Sequence, residues 1–150
     1  GVGVDGATYQ QFNARIDSYK EGEDGNKLQA SCWPNVQGPE FAKIDEWFHV
    51  ARTYDAATGA WKVYVDGVQT HDGVHEFGDP AGPFGDLDLT SPTMNALYIG
   101  GWAAIIDGVN NQDWMTFFNG SVDEVRMYNR ALTDQEIGQL WQQEKLINLE

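Results

Sequence analysis

Residues 120–141 constrain the fold of this chain most, because they read as one strand running directly into one capped helix. Val122, Val125, Met127 and Tyr128 supply the β-branched, apolar and aromatic side chains of a mostly buried strand. Thr133-Asp-Gln-Glu136 then forms a capping box, in which the Thr133 hydroxyl and the Glu136 carboxylate satisfy backbone N–H groups that lack intrahelical partners. Leu132 before the cap and Ile137 at the fourth helical position make a hydrophobic staple across it. Ile137, Leu140 and Trp141 share one face, while Gly138 costs the helix about 1 kcal/mol relative to alanine. No other stretch reads as helix.

The rest of the chain alternates short strand candidates with turn residues, the pattern of an all-β sandwich or barrel. Residues 9–16 precede the polar turn Glu21-Gly-Glu-Asp-Gly-Asn26, which leads into a strand at 27–32. Residues 47–54 are followed by the turn Asp55-Ala-Ala-Thr-Gly59. Residues 60–65 meet 68–70 across Asp66-Gly67, the strongest hairpin signal here, since both central residues of such a turn adopt positive φ. Residues 96–100 and 122–128 complete the strands. Two irregular segments lie between, 71–93 and 101–118, and long loops inside a compact domain are usually functional or disordered.

Length and charge narrow the classes of function. A chain of 150 residues is most simply one domain, burying roughly 70% of its unfolded surface. Nine basic residues against 23 acidic ones give a formal charge of -14. That balance opposes nucleic-acid binding, which needs Lys and Arg to displace counterions, and it opposes anionic membrane surfaces. It suits a secreted or cation-binding protein. Cys32 is the single cysteine, so no intrachain disulfide forms. The longest apolar run, 96–106, is broken by Gly100 and Gly101 and is too short to span a membrane. The chain opens on Gly1 rather than Met, as a processed or excised piece does.

Four strings in order, Glu46-Trp-Phe-His-Val-Ala-Arg-Thr-Tyr-Asp55, Trp61-Lys-Val-Tyr-Val-Asp-Gly67, Leu97-Tyr-Ile-Gly-Gly101 and Phe118-Asn-Gly-Ser-Val-Asp-Glu-Val-Arg-Met-Tyr-Asn-Arg-Ala-Leu132, resemble the laminin G-like, concanavalin A-like jelly-roll family. The resemblance implies an all-β, antiparallel two-sheet jelly-roll sandwich with a short C-terminal helix on its edge. The match looks like the C-terminal part of such a domain. Residues 1–9 carry Val4-Asp-Gly6 but not the family's opening pair of strands, so 1–150 is expected to be a single domain lacking them. Either the chain is a fragment, or neighbouring domains or another chain supply those strands, or the sandwich is trimmed; an uncovered sheet edge aggregates, so the gap is expected to be filled or blunted.

Catalysis finds little support in the residues. A retaining glycosidase holds two carboxyls about 5–5.5 Å apart, which on a strand means spacings of two or four residues. The acidic residues here sit in turns, as Glu21, Glu23 and Asp24 do, or beside a strand start, as Asp45 and Glu46 do. Asp123 and Glu124 are adjacent, so on a strand they point to opposite faces. His49, His71 and His75 lack a partner at a nucleophile-activating spacing, and His49 reads as a packed strand residue.

The resemblance does imply a structural Ca²⁺ held by a carboxylate of the last strand, which Asp123 matches; six to eight oxygens are needed. The oxygen-rich run Asp107-Gly-Val-Asn-Asn-Gln-Asp113 is a second place for calcium. Flat aromatic faces stack on sugar rings while Asp and Asn bond the hydroxyls. Trp47, Trp61 and Trp141 lie in regular elements and read as core. Trp33, Trp102 and Trp114 lie in loops, which more often carry function, although each also reads as a tryptophan capping the sandwich; Asn110 and Asp113 stand near them in sequence as sugar-binding partners.

The expectation is a non-catalytic carbohydrate-binding or adhesion module of a secreted protein, extracellular or at the cell surface, with a polysaccharide or glycan as partner. Two alternatives stand beside it. One is part of a jelly-roll glycosidase or polysaccharide lyase; the other is a structural protein-interaction module without a sugar ligand.

Overall fold

The computed structural model describes the backbone of residues 11–13, 16–21, 27–32, 35–37, 46–74, 76–77, 82–83, 99–100, 118 and 120–147, and side chains in 46–74, 99–100, 118 and 120–146. The chain forms two compact units, one of Gly1–Asp88 with Tyr128–Glu150 and one of Leu89–Met127.

All strand pairs of the first unit are antiparallel. β1 (Gln11–Asn13) pairs with β4 (Asn35–Gln37), and β2 (Ile16–Glu21) pairs with β3 (Lys27–Cys32). β5 (Val50–Tyr54), β6 (Ala60–Val65) and β7 (Val68–Val74) form a three-stranded sheet with β6 central. β8 (Glu76–Phe77) pairs with β9 (Gly82–Pro83). The helix α1 runs over Asp134–Ile147.

Asp66 and Gly67 carry φ of 52° and 76°, the two-residue turn expected from that dipeptide. The Asp66 carboxylate locks it by accepting the His49 N–H at 3.0 Å, while the Asp66 N–H donates to the His49 carbonyl at 2.9 Å.

β6 is buried on both faces, and its alternation says how. Trp61, Val63 and Val65 share one face; Val63 and Val65 are buried and pack with Phe48, Val50 and Trp61. Lys62 and Tyr64 share the other, where Tyr64 is buried with Leu132 and Ile137 and is packed by Ala51 and Leu140. Cross-strand partners keep the same sides, Val50 facing Val65 and Ala51 facing Tyr64. Leu132 and Ile137 thus close the staple over the sheet, and fully burying a side chain such as Ile137 is worth roughly 1.5–3 kcal/mol.

Three expectations change. Trp47 is not core: β5 opens only at Val50, and Trp47 lies two residues beyond the last backbone tie, 65% exposed. The expected strand at 122–128 is irregular and exposed. In the second unit the Asp123 carboxylate accepts the Glu124 N–H at 2.8 Å, and Glu124 takes a φ of 51°, which breaks an extended run. Among the described residues it takes part in no strand pairing, so its backbone gains no ladder bonds. Finally, the segment 71–93 is not irregular throughout, since β7 continues to Val74 and β8 and β9 follow. Of the expected strand 96–100 only Ile99 and Gly100 are described, in a bend.

Candidate functional site

A cleft of about 500 Å³ opens where the first turn of α1 meets the ends of β5 and β6 remote from the 66–67 turn. Its lining is apolar at Ala60, Ala131 and Leu132 and polar at Thr53, Asp55, Lys62, Thr133, Asp134 and Gln135. Strand alternation delivers Lys62 to the helix-covered face of β6, beside Tyr64. The capping box starts the helix at Asp134, directly above them.

Asp134 gathers this corner. Its Oδ1 accepts from the Lys62 ammonium at 2.7 Å and from the Tyr64 hydroxyl at 2.7 Å. These two hydrogen bonds hold the Asp134 carboxyl below its ordinary value. A carboxylate in the first helical turn also gains from the helix dipole. In turn, the bond to Asp134 raises Lys62. Burial, and then Asp134, pushes the Tyr64 phenol up, so it stays protonated and donates.

Asp55 is set by its own turn. Its Oδ1 accepts the Ala57 N–H at 2.9 Å, its carbonyl accepts the Gly59 N–H at 2.8 Å, and its N–H donates to the Ala60 carbonyl at 2.8 Å. Behind the cleft, the capping box closes as expected. Thr133 N–H donates to Glu136 Oε2 at 2.8 Å, and Glu136 N–H donates to the Thr133 hydroxyl at 3.3 Å. Arg130 adds a two-pronged pair to Glu136 at 2.9 and 2.6 Å. Arg130 first, then Thr133, pulls the Glu136 carboxyl down to about 2.

The far half of α1 has another polar contact. His49 Nε2 lies 3.6 Å from Glu144 Oε2, and its ring centroid lies 6.1 Å from that of Trp141. His49 is therefore packed as expected, though just ahead of β5 rather than within it.

Of the residues singled out from sequence, Trp33, Trp102, Asn110, Asp113 and Trp114 lie outside the described residues, as do Asp107 and His75. Asp123 is described: its carboxylate caps the following N–H, and Arg126 pairs with Glu124 at 2.7 Å. Among the described residues no group of three His, Cys, Asp or Glu side chains could hold a metal. Sequence reasoning missed the Lys62–Asp134 corner, whose partners are 72 residues apart. Its only local signals were the shared face of Lys62 and Tyr64 and the acid opening the helix.

The family model described as the concanavalin A-like lectin/glucanases superfamily matches residues 3–138. A comparison with curated proteins returns no match. Among solved structures, residues 221–444 of an S-layer domain-containing protein from Clostridium thermocellum ATCC 27405 are similar at 16% identity with a TM-score of 0.48. That similarity covers 89% of this chain and 64% of that one.

Proposed function

The chain belongs to the concanavalin A-like lectin/glucanase superfamily, and from that premise we propose that it is a non-catalytic carbohydrate-binding or adhesion module of a secreted protein. The observation that carries the binding reading is the polar corner at Asp134, whose Oδ1 lies 2.7 Å from both the Lys62 ammonium and the Tyr64 hydroxyl. A glycosidase needs one carboxyl raised enough to donate a proton. Asp134 is held the other way, lowered and ionised by Lys62 and Tyr64. It can accept hydrogen bonds from hydroxyls but is poorly suited to deliver a proton.

In this reading the sheets complete an antiparallel two-sheet jelly roll. Support comes from β6: α1 covers its Tyr64 face, yet Val63 on the opposite face is 0% exposed, which calls for a second layer there. Val122, Val125 and Met127, each more than half exposed, suit cover by a strand from a neighbouring domain or another chain.

Trp33, Trp102 and Trp114 serve as sugar-stacking platforms, with Asn110 and Asp113 bonding hydroxyls. A structural calcium at Asp123 is the second part of the proposal. The described residues offer it one carboxylate, already capping a backbone N–H, where six to eight oxygens are required. The remaining ligands would come from N-terminal groups, and the run 107–113 stands as a separate, second place for calcium. The proposed location is extracellular or at the cell surface. Among the described residues no helix is long and apolar enough to cross a membrane.

A glycan array with the wild type, Trp102→Ala and Trp114→Ala tests the reading. Binding by the wild type that falls in either variant is expected. No glycan bound by any form would overturn it in favour of a structural interaction module, and release of reducing ends from β-glucan or of unsaturated products from alginate would favour an enzyme.

A further inference from the structure

We infer that the cleft between Lys62 and α1 is itself a glycan subsite, and that it selects neutral sugars over acidic ones. This rests on the carbohydrate-binding reading and deepens it by naming a place and a ligand class. A volume of about 500 Å³ lies within the usual range of small-ligand sites, roughly 300–1,000 Å³. Its lining residues are more polar than those of most small-molecule sites, which suits a ligand rich in hydroxyls.

The chemistry of the rim matches hydroxyl groups, which both donate and accept. Both side-chain hydrogen bonds to Asp134 reach Oδ1, so a ligand hydroxyl would approach at Oδ2. Of the three N–H donors of the Lys62 ammonium, Asp134 takes one and Tyr64 engages another, which leaves one for a ligand. Asp55 uses Oδ1 to close its own turn and likewise keeps Oδ2. Thr133 and Gln135 line the same space, with the Thr133 hydroxyl committed to Glu136. Neighbouring hydroxyls of a pyranose could therefore bridge Lys62 and Asp134, with a C–H face against Ala60, Ala131 and Leu132.

Charge then decides the ligand class. Lys62 is matched by Asp134 at 2.7 Å, so Asp55 leaves the lining one negative charge in excess, in a chain of formal charge -14. A uronate or sulfate group would meet like charge on entry. A neutral hexose or pentose meets none. The donors and acceptors are also held in place before binding, which lowers the ordering cost that weakens most sugar complexes.

The test titrates ¹⁵N-labelled protein with neutral gluco-, manno-, galacto- and xylo-oligosaccharides and with oligogalacturonate, followed by amide shift mapping and calorimetry. Shifts should centre on residues 53–62 and 131–136. Lys62→Met, and Ala131→Trp, which adds bulk to the lining without removing a polar group, should each weaken a neutral ligand at least tenfold. Thermal midpoints check that both variants fold, and shift mapping on the wild type reads the site without any variant. Neutral sugar bound with shifts elsewhere, or bound unchanged by both variants, overturns the cleft while leaving the carbohydrate-binding reading intact. Tighter binding of oligogalacturonate overturns the selectivity, and no binding of any sugar overturns both.

Discussion

Trp141 sits on Gly67: a Cβ added at that glycine would stand 2.9 Å from Trp141 Cδ1 and 3.1 Å from its Cβ. The hairpin turn thus needs glycine twice, once for its φ of 76° and once as the seat of the helix. Gly67→Ala combines a left-handed residue, about 1–2 kcal/mol, with an overpacking cost of about 1–3 kcal/mol. The expected loss is roughly 2–5 kcal/mol, seen as a midpoint lowered by several degrees in thermal melting. A variant melting with the wild type would contradict this docking of helix on turn.

Gly138 makes the opposite case. Among the described residues a Cβ there would meet only the Gly67 carbonyl oxygen, at 4.0 Å, an ordinary contact. Gly138→Ala should therefore gain about 1 kcal/mol from helix propensity. Chemical denaturation reads this as a higher midpoint at unchanged slope. A lower midpoint would mean that helix and turn are closer than described.

Removing the cap tests the start of α1. Thr133→Ala loses the hydroxyl that accepts the Glu136 N–H, and N-cap losses of this kind cost about 1 kcal/mol. Thr133→Ser keeps the oxygen and should restore most of it. Equal stability of the alanine and serine forms would contradict the capping role.

Much of this architecture was legible in local sequence. Asp66-Gly67 demands positive φ, and Thr133 with Glu136 can answer each other over a single turn, so both emerged where expected. The strands 27–32 and 60–65 followed from alternation and flanking turns. What failed depended on distant partners. Trp47 and residues 122–128 have strand-like side chains, but burial and pairing need a neighbouring element, and the Asp123 carboxylate competes for the chain locally. The cleft was illegible for the same reason, since Lys62 and Asp134 meet only through the docking of α1 on β6. The loop tryptophans were named from sequence alone, and they lie outside the described residues.

Acid should loosen α1 in a defined window. Glu136 is lowered from 4.5 to about 2, so its contribution is complete above 4.5 and is lost as pH falls through 2. Asp134, also lowered, from 3.8, acts in the same direction. Lys62 is raised from 10.5, so its contribution is complete below that pH and is lost as pH climbs through the raised value. Stability measured from pH 5 to 2 should fall less steeply for Arg130→Met than for the wild type, and the difference should shrink in high salt. Superimposable curves would contradict the Arg130–Glu136 assignment.

The central claim is that this chain holds glycans without cleaving them, and retention on immobilised polysaccharides with assay for released reducing ends tests it most directly. We predict retention of the wild type on at least one neutral glucan, mannan, galactan or xylan, displaced by the matching free oligosaccharide and with no reducing ends released. Passage through every column unretained, or release of reducing ends by the retained protein, would contradict it.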